Sequence, residues 1–574
     1  MTEINLRVGG AAGDGIASMG DVCTKACSRS GLHVSAYNSY QSVIRGGHVW
    51  FHLRASDRKV GCEGDSIDLL VALTPDTVTF HSQLIAKGGG IVYDPSRTKV
   101  GTSGARPIEV PLFEIASDLS RGGIVQNTVA MGCAIYLLGL EPQPFKDVLT
   151  EMFSTKGEGV VKMNVDALMA GYERARNSGP PLRIGLKGDG VRRYLMTGNQ
   201  AFAIGAAAAG CRFLTQYPMT PASGILHWLS AHSEQYGVLV KQTEDELAAV
   251  NMAIGAGVAG ARAMVATSGG GFSLMTEGLG LAGILEVPVV AINSQRVGPS
   301  TGLPTKTEQA DLNQAFGASQ GEFPRMILAP RNIEEAYYLT AKAFDLAERF
   351  QTPVIMLSDL YLSEHYETID DLDLEVRIDR GKIAKQGEDA FKRYLVTENG
   401  VSPRSTPGMP GLAFIAGSDE HDEAAILVSD VLSGTPYGIA TRKLMMDKRM
   451  RKCESARAEM EPPEPWGPEG ADLTLICWGS AQPAVREAVE RLNASGMKTS
   501  SLEFSYIHPL PVEKVSAILS KVKRGIIVES NYSGQFARHL KAETGYVADD
   551  ECLKYDGEPM TPGYIVSKVK EGMG

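Results

Sequence analysis

Leu473-Thr474-Leu475-Ile476-Cys477-Trp478 is a short apolar run, and Pro483 to Leu492 follows it with helical spacing. Lys498 to Glu503, Val512 to Leu519 and Gly525-Ile526-Ile527-Val528-Glu529 extend the pattern. Brief apolar runs bounded by turn residues read as buried strands. Strands alternating with helices imply parallel pairing through crossover connections. Residues 471–574 therefore read as a βαβαβ unit, a compact doubly wound domain.

The same alternation appears upstream. Ala261 to Thr267, Pro288 to Asn293 and Pro353 to Leu357 are strand-like, and Glu246 to Ala259 is an Ala-rich helical stretch, so residues 197–368 form a second α/β domain. At the amino end, Ile4 to Val8, His33 to Tyr37, Leu69 to Leu73 and Gly90 to Tyr93 are the strands of a first domain over 1–176, expected to be a parallel sheet with helices on both faces. Asn177-Ser178-Gly179-Pro180-Pro181 opens a linker over 177–196. Residues 369–470 form a long irregular connection: acidic near Asp370 to Asp379, rich in Gly, Pro and Ser from Gly400 to Gly411, then charged and helix-prone from Arg442 to Glu461.

Composition narrows the function. The 574 residues carry a net charge of −11, a poor basis for a broad nucleic-acid surface. Glycine is abundant, with 63 residues and no collagen-like period, which points to tight turns and loops that approach ligands. The eight cysteines form no CxxC and no ferredoxin-like run, so a zinc ribbon, a disulfide scaffold and a self-contained iron–sulfur domain are all disfavoured. No membrane span or signal peptide is visible, and the chain reads as cytoplasmic, with no metal site of its own.

Several motifs carry chemistry. Gly9, Gly10, Gly13 and Gly15 lie between a strand and a helix, a place that suits either a phosphate or a plain tight turn. Gly13-Asp14-Gly15 with Asn38 loosely matches a metal-diphosphate motif, but it stands too far past the strand and reads as coincidence. Arg45-Gly46-Gly47 offers a guanidinium beside permissive backbone. Tyr217-Pro218-Met219-Thr220-Pro221 is a stiff loop just past the strand Arg212 to Thr215. Gln242-Thr243-Glu244-Asp245-Glu246 opens a helix, where acidic residues also serve as ordinary dipole partners. Thr267-Ser268-Gly269-Gly270-Gly271 and Gln295-Arg296 to Thr305 both follow apolar strands.

Taken in order, these motifs resemble the 2-oxoacid:ferredoxin oxidoreductases, and most closely the α-subunit of the 2-oxoglutarate type with its γ-domain fused to the amino end. Residues 1–176 look like the γ-domain, 197–368 like the thiamine pyrimidine-binding domain, and 471–574, through Glu529-Ser530-Asn531-Tyr532-Ser533-Gly534-Gln535, like the transketolase carboxyl-terminal-like domain. Gly400-Val401-Ser402-Pro403-Arg404 and Glu420-His421-Asp422-Glu423 also match that family. The resemblance implies thiamine diphosphate, contacted by Tyr217, Pro218, Thr220, Ser268 and Gly269. Glu244 is the carboxylate expected to serve the aminopyrimidine, with Glu246 as the alternative. It implies a 2-oxoacid held by Thr220, Arg296 and Thr305. Arg296 with Thr305 suits the two carboxylates of 2-oxoglutarate. It implies CoA on the γ-domain, with Asn38, Ser39, Arg45 and Gly46 as candidate contacts.

The same resemblance implies a β-subunit that brings the diphosphate site, Mg²⁺ and a [4Fe–4S] cluster. It further implies ferredoxin as electron partner and a dimer of heterodimers. The reaction so implied is 2-oxoglutarate, CoA and oxidised ferredoxin to succinyl-CoA, CO₂ and reduced ferredoxin, or the reverse as CO₂ fixation. Three other readings stay open: the same machinery acting on pyruvate or a branched-chain 2-oxoacid, a complete single-chain thiamine enzyme, and a non-catalytic subunit that only docks CoA or ferredoxin.

Overall fold

A computed structural model describes residues 2–41, 47–101, 104–183, 185–385, 391–428 and 430–572. The chain is α/β throughout and divides into two compact units. One comprises Met1–Thr197, Glu364–Asp371 and Thr561–Tyr564; the other comprises Gly198–Ser363, Leu372–Met560 and Ile565–Gly574.

The first unit is built on an eight-stranded sheet. Its strands run in the order Arg106–Glu109, Ile85–Tyr93, Ile67–Ala72, Glu3–Ala11, His48–Ser56, His33–Ser39, Tyr366–Ile369 and Tyr194–Thr197. Ile4, Leu6 and Val8 face the core with Met19, Val22 and Ala26 of the helix Ile16–Arg29. The expected all-parallel sheet is corrected here. The first four strands are parallel, but every pairing from His48–Ser56 onward is antiparallel. Only Tyr40 to Gly47 separates His33–Ser39 from its neighbour. A parallel crossover needs a dozen residues or more, so so short a connection forces an antiparallel pair. The sheet also takes in Tyr366–Ile369, a strand within the stretch the sequence assigns to the second domain. The segment read as a linker lies along this unit: the Leu182 N–H donates to the Leu137 carbonyl at 2.7 Å, and Arg183 pairs with Asp68 at 2.6 Å.

The second unit holds two sheets. The larger has the order Tyr506–His508, Met326–Leu328, Pro353–Asp359, Val289–Gln295, Ala263–Thr267, Phe213–Gln216 and Leu239–Gln242. All its pairings are parallel except that of Tyr506–His508. The smaller sheet runs Pro465–Trp466, Thr499–Phe504, Leu473–Trp478, Gly525–Glu529 and Asp550–Leu553, parallel apart from its first strand. Ile476, Trp478 and Phe504 of the smaller sheet share one buried apolar cluster with Val289, Ile355 and Phe272.

Buried charge, rather than regular structure, anchors the long connection. Glu348 receives Arg262 at 2.9 Å, Arg380 at 2.7 Å and Arg404 at 2.5 Å. Farther on, the helix Pro436–Arg457 places Lys448 and Lys452, four residues apart, on one face. Both ammonium groups reach Glu286 at 2.5 Å, and all three side chains are fully buried. The lysines hold the Glu286 carboxyl below the ordinary carboxylate range although its burial works the other way.

Candidate functional site

Three adjacent parallel strands, Phe213–Gln216, Ala263–Thr267 and Val289–Gln295, end on the same edge of the larger sheet. The carboxyl edge of such a sheet is where α/β folds bind ligands. The loops that leave this edge are the ones singled out in the sequence.

The first is Tyr217 to Thr220. Two side-chain amides hold its far end: Gln216 Nε2 donates to the Ala222 carbonyl and Asn199 Nδ2 to the Pro221 carbonyl, each at 2.9 Å. The Thr220–Pro221 peptide is cis. Tyr217 is exposed, and Pro218 and Thr220 are half-buried. Across the edge, Arg296 Nη1 donates to the Thr220 carbonyl at 2.8 Å, so the Arg and Thr named from the sequence meet.

The loop after Arg296 closes on itself. The Val297 N–H donates to the Lys306 carbonyl at 3.1 Å, which sets Arg296 and Thr305 at the two feet of one loop. Thr305 is buried. Behind them Asp311 accepts from Asn293 Nδ2 at 3.1 Å. Burial raises the Asp311 carboxyl, and Asn293 and Arg296 oppose the rise.

The third loop starts the helix Gly269–Leu285. Ser268 stands at its N-cap, but its hydroxyl makes no cap bond. Ser268 Oγ and Asn293 Oδ1 lie on fully buried side chains at two neighbouring strand ends, and neither has a hydrogen-bond partner among the described residues. Buried polar atoms are nearly always satisfied, so these two atoms are open to a water or a polar ligand.

The acidic stretch divides sharply. Asp245 caps the helix Glu246–Val258, its Oδ1 accepting from the Ala248 N–H at 2.7 Å. Glu244 precedes the cap and is exposed. Glu246, the first helical residue, turns inward and is 2% exposed. Its Oε1 accepts from Thr267 Oγ1 at 3.1 Å, at the end of the central strand. Gly271 makes this approach possible, because a Cβ there would stand 2.1 Å from Thr267 Oγ1 and 2.2 Å from Glu246 Oε1. The expectation that Glu244 is the inward carboxylate is therefore corrected on geometry. The helix begins two residues later, and the residue that turns in is Glu246.

On the first unit, Asn38 and Ser39 end the strand His33–Ser39, half-buried and buried respectively. Arg45 and Gly46 lie outside the described residues. In the glycine loop, Asp14 Oδ2 accepts from the Ala11 N–H at 2.8 Å, so a carboxylate of the chain already takes a donor that a phosphate would use. Sequence reasoning did not single out Asn293 or Asp311. Asn293 could be suspected from its place near the end of an apolar strand, but Asp311 stands 16 residues past Gln295, before the short helix Leu312–Phe316, and carries no such signal.

Among the described residues no three His, Cys, Asp or Glu side chains gather as a metal site, and no helix is long and apolar enough to cross a membrane.

Comparison with known proteins agrees with this architecture. Residues 5–174 match the family described as pyruvate ferredoxin/flavodoxin oxidoreductase. Residues 204–433 match pyruvate flavodoxin/ferredoxin oxidoreductase, thiamine diphosphate-binding, and residues 471–555 match pyruvate:ferredoxin oxidoreductase core domain II. The chain is 32% identical to 2-oxoacid:ferredoxin oxidoreductase 2, subunit alpha, of Aeropyrum pernix, over 99% of this chain and 98% of that one. It is 30% identical to the 2-oxoglutarate oxidoreductase subunit KorA of Mycobacterium tuberculosis, over 96% and 89%. A solved 2-oxoglutarate:ferredoxin oxidoreductase from Magnetococcus marinus, with 2-oxoglutarate, coenzyme A and succinyl-CoA bound, superposes with a TM-score of 0.94 at 33% identity and full coverage of both chains.

Proposed function

We propose a specific reaction for this chain, which belongs to the 2-oxoacid:ferredoxin oxidoreductase alpha-subunit family: the oxidative decarboxylation of 2-oxoglutarate to succinyl-CoA, with ferredoxin as electron acceptor, and its reversal as CO₂ fixation. The observation that carries the proposal is the buried Glu246 carboxylate against Thr267 and Gly271, on the same strand edge as Arg296 and Thr220. The bound substrate and product of the Magnetococcus neighbour support the choice of 2-oxoglutarate.

The residues at the edge fit the aminopyrimidine half of thiamine diphosphate. A buried carboxylate, an unpartnered hydroxyl and an unpartnered amide oxygen suit a ring that carries both donors and acceptors. When bound, the cofactor supplies the nucleophile and electron sink for decarboxylating a 2-oxoacid. Glu246 would hold a proton at Oε and exchange it with the ring nitrogen, and Thr267 fixes the angle of that carboxylate. Ser268 Oγ and Asn293 Oδ1 would take the remaining polar edge. The backbone of Tyr217 to Thr220 and of Gly269 would line the ring.

Arg296 offers a planar fork suited to a carboxylate, and its bond to the Thr220 carbonyl orients that fork. Thr305, at the other foot of the loop, would receive the second carboxylate of a dicarboxylic substrate, with Thr220 closing the near side. A buried carboxylate without such partners is costly, which favours a substrate with a charge at each end.

The remaining assignments belong to the same proposal. A β-subunit carries the [4Fe–4S] cluster, Mg²⁺ and the diphosphate site, the complex is a dimer of heterodimers in the cytoplasm, and CoA is bound on the side of Asn38 and Ser39. The test is co-expression with the β-subunit and a panel of 2-oxoacids, with CoA and a one-electron acceptor. Preference for 2-oxoglutarate supports the reading. Clear preference for pyruvate overturns the substrate, and full turnover by the isolated chain overturns the two-subunit site.

A further inference from the structure

The helices Glu246–Val258 and Gly269–Leu285 start at the strand edge described above, at Glu246 and just after Ser268, and lie side by side with Val250 against Gly278. Their composition does not suit a surface. Glu246 is the only charged residue of the first and is buried, and Glu277 is the only charged residue of the second. A helix that is apolar on all sides belongs in an interior, whereas a surface helix turns a polar face to water. Yet Leu247 is 48% exposed, Met252 41% and Leu274 47%.

The glycines lead to the same face independently. Gly257, Gly269, Gly271, Gly278, Gly280 and Gly283 are explained by packing within this chain, because a Cβ at each would come within 2.7 Å of another of its atoms. Gly255 and Gly270 are not. Both are exposed, and a Cβ at either would meet nothing within 4 Å. Glycine weakens a helix interior relative to alanine, so at Gly255 the helix loses stability with no internal contact to offset it. Gly255 lies three residues beyond Met252, on the same outer face. Bare backbone at an exposed position lets another molecule approach closely.

The position of this face selects its occupant. It begins at the helix ends that carry Glu246 and Ser268, the residues proposed to hold the aminopyrimidine half of the cofactor. Whatever holds the diphosphate half must reach the same edge. A second copy of this chain would present another aminopyrimidine half and would not complete the site. We infer that the outer face of these two helices, with Leu247, Met252, Gly255, Gly270 and Leu274, is the docking surface for the β-subunit, an uncharged, apolar element of which seats against Gly255. The inference rests on the proposed two-subunit cofactor site.

The experiment mixes the full chain with purified β-subunit and measures their affinity, and the size of each species by light scattering, for wild type, Gly255→Trp and Met252→Asp. Both substitutions stand on an exposed face of the chain alone, whose melting temperature is expected to stay within about 3 °C of wild type. Affinity for the β-subunit is expected to fall about tenfold or more in Gly255→Trp, whose ring holds the two surfaces apart. It is expected to fall about 100-fold in Met252→Asp, which buries an unpaired carboxylate. Met252→Asp keeps the test decisive if Gly255→Trp does not fold. Wild-type affinity in whichever variant folds overturns the inference. So does self-association of the chain through this face, shown by loss of the dimer in both variants while affinity for the β-subunit is unchanged. Both of these outcomes leave the proposed reaction standing, since the wild-type complex is assayed separately on the 2-oxoacid panel. Full turnover by the isolated chain overturns the two-subunit site, and this inference with it.

Discussion

Glu246→Gln is the substitution that most directly tests how the site works. Glu246 is 2% exposed, and its Oε1 lies 3.1 Å from Thr267 Oγ1. An amide has the same shape, and its carbonyl oxygen keeps the bond from Thr267, so the helix start and the packing against Gly271 are retained. What disappears is the ability to exchange a proton. General acid–base groups contribute roughly 10²–10⁴ in rate, which corresponds to about 3–5 kcal/mol of barrier. The expected outcome is a fall in kcat of that size in the complex with the β-subunit, measured with 2-oxoglutarate, CoA and a one-electron acceptor. The melting temperature should move by no more than a few degrees. Glu244→Gln, two residues earlier and exposed, should stay within about twofold of wild type. If Glu246→Gln keeps most of its activity while Glu244→Gln loses it, burial has selected the wrong carboxylate and the reasoning fails.

The other expectations concern the site's packing and the buried charges. Gly271→Ala puts a methyl within 2.2 Å of both Glu246 Oε1 and Thr267 Oγ1. Displacement of that pair by about 1 Å should cost about 100-fold in kcat, and near wild-type turnover would show that the pair is not at the chemistry. Glu286→Gln removes the counter-charge of two fully buried lysines. Denaturant titration should show a loss of about 3–5 kcal/mol, and a loss below about 1 kcal/mol would contradict the buried cluster. His508 is pushed by burial from its ordinary 6.5 down to about 4, with His539, Arg325 and Arg457 adding to the fall. Its folded value is depressed, so the unfolded chain binds the proton first. The contribution is therefore present above pH 6.5 and is lost as pH falls toward 4, amounting to about 3 kcal/mol. His508→Gln should flatten stability over that window relative to wild type, and parallel pH profiles would refute the assignment.

How much was legible in the sequence follows from the range of each interaction. Leu473–Trp478 and Gly525–Glu529 are strands over the residues their apolar runs mark, because a strand buried on both faces needs no information beyond its own composition. Glu244 and Glu246 differ in role only through where the helix starts, and Asp245 decides that by capping Ala248. Boundaries of this kind shift by a residue or two in any reading of composition. Lys448 and Lys452 look like solvated charges on a polar helix. Their burial depends on Glu286, 162 residues away from Lys448.

The linear chain by itself determined the α/β class, the order of the three segments that match the family models, and the strand-end loops that carry Thr220, Ser268 and Arg296. Each of these depends on local periodicity or on turn chemistry within a few residues. Only the tertiary structure decided which acid faces inward, which hydroxyl and amide oxygen are left unpaired, that Tyr366–Ile369 completes the first sheet, and that Ser530 and Asn531 hydrogen-bond Gln309. These are pairings across tens to hundreds of residues. A residue type shows what it can bond, but its partner is set by which strands and loops the packed sheets bring to one edge.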